Sequence, residues 1–150
     1  MKMKLMAALA VFLCAATFSV QASAQDHERN WESGTILQVT HVTTKPGMFN
    51  AYINDLNGLW RVFLEEQMKD GSVIGYRMWS NVAARKDEPN LILTIEYANW
   101  AAFDLGIEYF EDMSKRLRGS TEEMRQLGVK REDIREIGST LNLQEIKFKN

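Results

Sequence analysis

Only two histidines, His27 and His41, lie beyond residue 24 of this 150-residue chain, which limits the proton chemistry its side chains can do. Metal sites need convergent ligands. No His-x-x-x-His, paired cysteine or calcium-loop pattern occurs. The carboxylate pairs Glu65-Glu66, Glu111-Asp112 and Glu122-Glu123 are adjacent on helical segments, so their side chains diverge. Ser72, Ser80, Ser114, Ser120 and Ser139 lack the Gly-x-Ser-x-Gly setting of an exposed nucleophile. Gly71 and Gly75 are too isolated for a phosphate-cradling loop. The residues therefore name no catalytic group, and neither a metal nor a cofactor is expected. His27 reads as solvated and His41 as a structural histidine at a sheet rim. Arg77 and Trp79 are more informative, because a guanidinium beside an indole suits a planar or anionic ligand. The same pair also makes a good interface anchor. Glu96 is the one well-placed carboxylate.

These groups must be carried by a small set of elements. Thr35–Thr43 alternates and is rich in β-branched residues, predicting a strand. Lys45-Pro46-Gly47 breaks it, with Pro46 favouring an extended predecessor and Gly47 a sharp turn. From Met48 the apolar residues Phe49, Tyr52, Ile53, Leu56, Trp60, Phe63 and Met68 recur at helical spacing, and Gly71 is placed to cap that helix. Residues 72–80 and 91–98 read as a second and third strand around a polar loop. Asn99 should cap a second helix over about 100–118, with Trp100, Phe103, Ile107, Phe110, Met113 and Leu117 on its inner side, packed in the helix–sheet core with Trp60 and Phe63, and Gly119 at its end. Ser120 to Glu123 fits a capping box, with short helical pieces expected near 121–127 and 131–136. Residues 139–148 read as the last strand, and 25–34 as a polar lead-in. The order βαββαβ predicts a ferredoxin-like α+β domain over residues 35–150: a four-stranded antiparallel sheet with both helices on one face.

The other face of such a sheet is bare unless something covers it. Apolar-in alternation places Leu37, Val39, Leu91, Leu93, Ile95, Leu141 and Leu143 toward the helices. Gln38, Thr40, Val42, Ile92, Thr94, Glu96, Asn142, Gln144 and Ile146 then point the other way. On the second strand Val73, Arg77 and Trp79 are placed on that same face, because Arg77 can then meet Glu96 across the hairpin. Ile74, Tyr76 and Met78 make an equally regular face on that strand. Thr40, Arg77, Trp79, Glu96 and Gln144 are thus the candidate ligand-binding residues. The alternative is that the face packs on a second copy and its polar groups satisfy each other.

Residues 1–24 predict a cleaved export leader: a basic start with Lys2 and Lys4, an apolar run from Leu5 to Val20, and Ala22-Ser23-Ala24 before a polar stretch. The expected location is periplasmic or secreted, with no membrane attachment after cleavage. The single cysteine, Cys14, lies inside the leader, so disulfides and thiol nucleophiles are not expected beyond it. Loss of Lys2 and Lys4 leaves 16 basic against 20 acidic residues, a net charge of −4. An acidic chain without a basic stripe argues against nucleic acid as partner.

"VTTKPGMFNAYINDLNGLW", "GSVIGYRMWS" and "LILTIEYANWAAFD", in that order, resemble the dimeric α/β-barrel superfamily, in particular its antibiotic-biosynthesis-monooxygenase-like branch. The resemblance covers roughly residues 35–148. It implies a homodimer in which two ferredoxin-like protomers pair sheet to sheet around an internal space, here suited to a small apolar or planar molecule. Members include haem-degrading and quinone-forming monooxygenases, isomerases and haem peroxidases, so the alternatives of an oxygenase and of a structural dimer stay open. A haem enzyme of this group would draw a histidine from its second helix or a nearby strand, and residues 99–148 contain none.

Overall fold

The computed structural model describes residues 29–150, without the side chains of Thr121, Met124, Leu127 and Val129. The expected leader and His27 lie outside the described residues. Strand β1 spans Trp31–Thr44, so the last part of the expected lead-in is already strand. Its extra length is held by pairing with an equally long last strand, from Trp31 opposite Phe148 to Thr44 opposite Arg135. At Lys45-Pro46-Gly47 the chain turns, with Gly47 at φ 77° and the Lys45 carbonyl accepting from Met48 N–H.

One helical rod follows: α1 (Phe49–Asp55), a π-helical turn (Leu56–Trp60) and α2 (Arg61–Asp70). The wider turn carries Trp60 onto Tyr76 of the sheet, ring centroids 5.2 Å apart and edge to face. Gly71 ends the rod at φ 80°. Gly71→Ala is expected to cost about 1 kcal/mol in a urea melt, because a Cβ disfavours the left-handed cap. An unchanged midpoint would mean that the cap contributes nothing.

β2 (Val73–Ser80) and β3 (Leu91–Tyr97) form the hairpin. The expected second helix is interrupted. Asn99 does cap it, its Oδ1 accepting from Ala101 N–H at 2.9 Å, but it caps only a single 3-10 turn (Trp100–Phe103). The chain opens at Gly106, and α3 starts at Ile107 and runs to Arg118, with Gly119 at φ 81°. Ile107, expected on the inner side, is therefore 70% exposed. One helix, α4 (Thr121–Arg131), replaces the two short pieces, and Ser120 Oγ accepts from Glu123 N–H as a capping box requires. β4 begins at Arg135, earlier than expected, and ends at Phe148.

The sheet order is β2-β3-β1-β4 with all neighbours antiparallel, as a ferredoxin-like α+β fold demands. Val42, Leu91 and Leu93 of the sheet pack on Tyr52 and Leu56 of the rod as a buried cluster. Complete burial of each such aliphatic stabilises by about 1.5–3 kcal/mol. No helix among the described residues is long and apolar enough to cross a membrane.

Register corrects several face assignments. Opposed residues share a face, and Leu91, Leu93 and Ile95 do face the helices as expected. They oppose Val42, Thr40 and Gln38, so these even-numbered β1 residues are on the helix side too. Leu37 and Val39 then point to the open face, the reverse of the expectation. β4 follows: Thr140, Asn142 and Gln144 lie on the helix side, and Leu141 and Leu143 on the open side. In β2 a bulge at Ile74 turns Val73 inward, where it is buried, while Arg77 and Trp79 stay on the open face.

Candidate functional site

Three rows run across the open face, in the order β4, β1, β3, β2. They are Ser139–His41–Ile92–Trp79, Leu141–Val39–Thr94–Arg77 and Leu143–Leu37–Glu96–Gly75. The β1–β4 half is largely apolar, and Leu141 and Leu143 are about half exposed. The β2–β3 half carries the charges and Trp79. At the rim His41 Nδ1 lies 2.8 Å from Ser139 Oγ, which fits the structural role expected of it. At the other end Thr35 Oγ1 donates to Glu96 Oε1 at 2.9 Å and lies 3.4 Å from Glu145 Oε2. The Thr35 N–H and Lys147 hold the Glu145 carboxyl below its ordinary range.

Three of the five candidate residues, Arg77, Trp79 and Glu96, therefore share this face. The other two do not. Thr40 is on the helix side, its hydroxyl 3.2 Å from that of Thr140. Gln144 is also there, accepting from Trp100 Nε1 at 2.6 Å and donating to the Gly34 carbonyl. With Gln38 donating to Asn142 at 3.1 Å, they form a polar ladder on the helix side of β1 and β4. Arg77 does not meet Glu96 in the same chain either. The register sets Arg77 opposite Thr94, and Glu96 leans to Thr35 on the next strand.

The helix side holds a feature that alternation could not reveal. A pocket of about 340 Å³ lies between α2, α3 and the sheet. Its walls are aromatic: Trp60 and Phe63 from the rod, Tyr97 from β3, Phe103 from the 3-10 turn and Phe110 from α3. Tyr97 and Phe103 lie tilted against each other, ring centroids 4.8 Å apart. Burial pushes the Tyr97 phenol pKa up, so it stays protonated at neutral pH. Gln67 lines the same pocket at 8% exposure. Phe103 and Phe110 are partly exposed at the mouth. Helical spacing had placed Trp60, Phe63, Phe103 and Phe110 in the helix–sheet core. The signal it passed over was Asp104-Leu105-Gly106, which breaks the second helix and leaves the space unfilled.

A second groove, about 450 Å³, lies between the Gly71 turn and α3. Its polar groups satisfy one another: the Tyr109 hydroxyl and Ser72 N–H both donate to Asp70. Burial pushes the Asp70 carboxyl up, but these bonds outweigh it and hold the pKa below the usual value. A ligand there would have to replace bonds already made. The aromatic pocket imposes no such cost.

No family model matches the chain, and no curated protein does. Solved structures do resemble it, two of them as follows. A dimeric ferredoxin-like protein from an uncultured marine organism is 19% identical, with a TM-score of 0.50 over 76% of this chain and 96% of that one. A Shewanella oneidensis protein is 15% identical, with a TM-score of 0.42 over 78% and 98% of the two chains. The first likeness supports the ferredoxin-like fold.

Proposed function

We propose that this is an exported, homodimeric α/β-barrel protein that binds a small apolar or planar molecule. The observation that carries the reading is the inversion of polarity across β1 and β4. Their helix side bears the polar ladder, whereas their open side bears Leu37, Val39, Leu141 and Leu143. A contiguous apolar sheet face is characteristic of an interface. Pairing this face with its copy builds the barrel and places Arg77, Trp79 and Glu96 between the two sheets. The related marine protein is itself dimeric, which supports the same assembly here.

The ligand site is the aromatic pocket. Its volume suits a small organic molecule, rings supply flat apolar walls, and the Gln67 amide supplies one oriented polar contact. This moves the site from the barrel interior, where alternation placed it, to the helix side of each protomer. The space between the sheets then acts as interface.

Native mass spectrometry of the protein recovered from the exported fraction tests the reading. The expected species is a dimer of chains starting at Gln25, with added mass on each chain. Ala102→Phe, which projects a ring into the pocket, is expected to remove that mass and leave the dimer intact. A ligand retained by this variant would place the site elsewhere. A dimer without added mass would favour the purely structural reading. An oxidised product on incubating the bound molecule with dioxygen would favour the monooxygenase-like one.

A further inference from the structure

We propose that the two protomers are set in register by a reciprocal ion pair, Arg77 of one to Glu96 of the partner subunit. This rests on the sheet-to-sheet dimer proposed above and deepens it. Arg77 is exposed on β2, and its side chain has no carboxylate within ion-pair distance among the described residues; Thr94 Oγ1 bonds its backbone carbonyl at 3.3 Å, not its guanidinium. Glu96 is half-buried on β3, with the neutral Thr35 hydroxyl as its bonded partner and no cation beside it among the described residues. The nearby Glu145 differs, because Lys147 lies 3.3 Å away. Covering this face would strand one positive and one negative charge per protomer. An uncompensated charge in a covered interface is strongly destabilising, so a stable pairing must join them.

Symmetry supplies the means. An isologous dimer brings residue i to j and j to i at once. Consider a two-fold axis lying between the sheets, across the strands, midway between the Arg77–Thr94 row and the Gly75–Glu96 row. It brings Arg77 over the row that holds Glu96 of the partner subunit, twice in the dimer. The same axis sets the row of Leu141 and Val39 over the row of Leu143 and Leu37 in the partner, apolar on apolar. One operation thus satisfies both the charges and the greasy half of the face. Within one chain the pair does not form, because Arg77 and Glu96 are diagonal rather than opposed and Glu96 is turned toward β1.

The test uses R77E, E96R and their equimolar mixture, each checked for folding by circular dichroism and weighed by light scattering and native mass spectrometry. Each variant alone sets like charges against each other and is expected to raise the dimer dissociation constant about 100-fold or more. Mixing them restores opposite charges across the interface, so heterodimers of the two are expected. A pair made within one chain predicts none, since each variant chain keeps its own repulsion. Folded single variants that dimerise like the parent, or a mixture without heterodimers, would overturn the inference while leaving the dimer standing. If E96R does not fold, E96Q replaces it: weakened dimerisation supports the pair, and parental affinity overturns it. A parent chain that is monomeric would instead defeat the dimer reading itself, and the ion pair with it.

Discussion

Leu141→Asp is expected to give a folded monomer. Leu141 sits on the open side of β4, about half exposed, opposite Val39 and next to the row of Leu37 and Leu143. Within the protomer it fills no core space, so its loss should change the unfolding midpoint little. In the dimer it would be covered, and a two-fold axis doubles every substitution. Forfeiting about 2 kcal/mol of burial at each copy weakens association by about 4 kcal/mol, or roughly 1,000-fold, before the buried carboxylate adds its own cost. Sedimentation velocity across a concentration series reads this directly. The opposite face assignment makes the opposite forecast, since a charge driven under the helices would unfold the chain. A variant that loses its circular dichroism would therefore sink the register described above, and one that remains a tight dimer would sink the interface.

Asp55→Ala should be the most damaging single change on the helix side outside the apolar core. Asp55 ends α1 and accepts from Arg131 Nε of α4, both side chains being about four-fifths covered. Arg131 Nη2 and Arg135 Nε are buried without a partner among the described residues, so Asp55 is the anion that makes this cluster tolerable. Tyr52 adjoins it: burial raises the phenol pKa, and the two guanidiniums oppose that rise. Removing the carboxylate leaves two cations in a partly dry site. Breaking a fully buried pair costs about 3–5 kcal/mol, and the residual exposure here brings the expected loss to about 2–3 kcal/mol in urea unfolding. The double change Asp55→Leu with Arg131→Met should recover most of it, because the penalty lies in the stranded charge rather than in a missing attraction. A loss below about 0.5 kcal/mol, the level of an exposed pair, would show that the cluster is effectively solvated.

Much of the fold is legible in local chemistry. The Lys-Pro-Gly turn, the Gly71 and Gly119 caps and the Asn99 and Ser120 caps each do what their residue types predict. These are short-range effects, decided by which backbone angles a residue allows and which orphan N–H its side chain can reach. Element bounds are less legible. β1 and β4 each extend several residues beyond their alternating stretch, because each supplies the other's hydrogen bonds. The second helix breaks at Asp104-Leu105-Gly106, where the 3-10 turn capped by Asn99 ends, and α3 starts afresh at Ile107.

Residue order by itself determined the sequence of elements, the turns between them and hence the antiparallel sheet with its helices on one side. Between bulges it also determined which residues of a strand travel together, since regular alternation has period 2. Tertiary structure alone decided which face each set takes. Apolar-in alternation assumes that only the helix side is dry. In β3 that holds, and Leu91, Leu93 and Ile95 lie where the pattern puts them. In β1 both alternations are partly apolar, Ile36 and Val42 against Leu37 and Val39, and pairing with β3 settles the contest for the first pair. Three bulges, in β1 around Gly34-Thr35, in β2 at Ile74 and in β4 at Gly138, then shift phase in ways no periodicity announces. So Thr40 and Gln144 left the candidate site, Arg77, Trp79 and Glu96 stayed together, and a pocket opened where a core was expected. A face is set by long-range hydrogen bonding between strands, and that register is written in no single stretch of the chain.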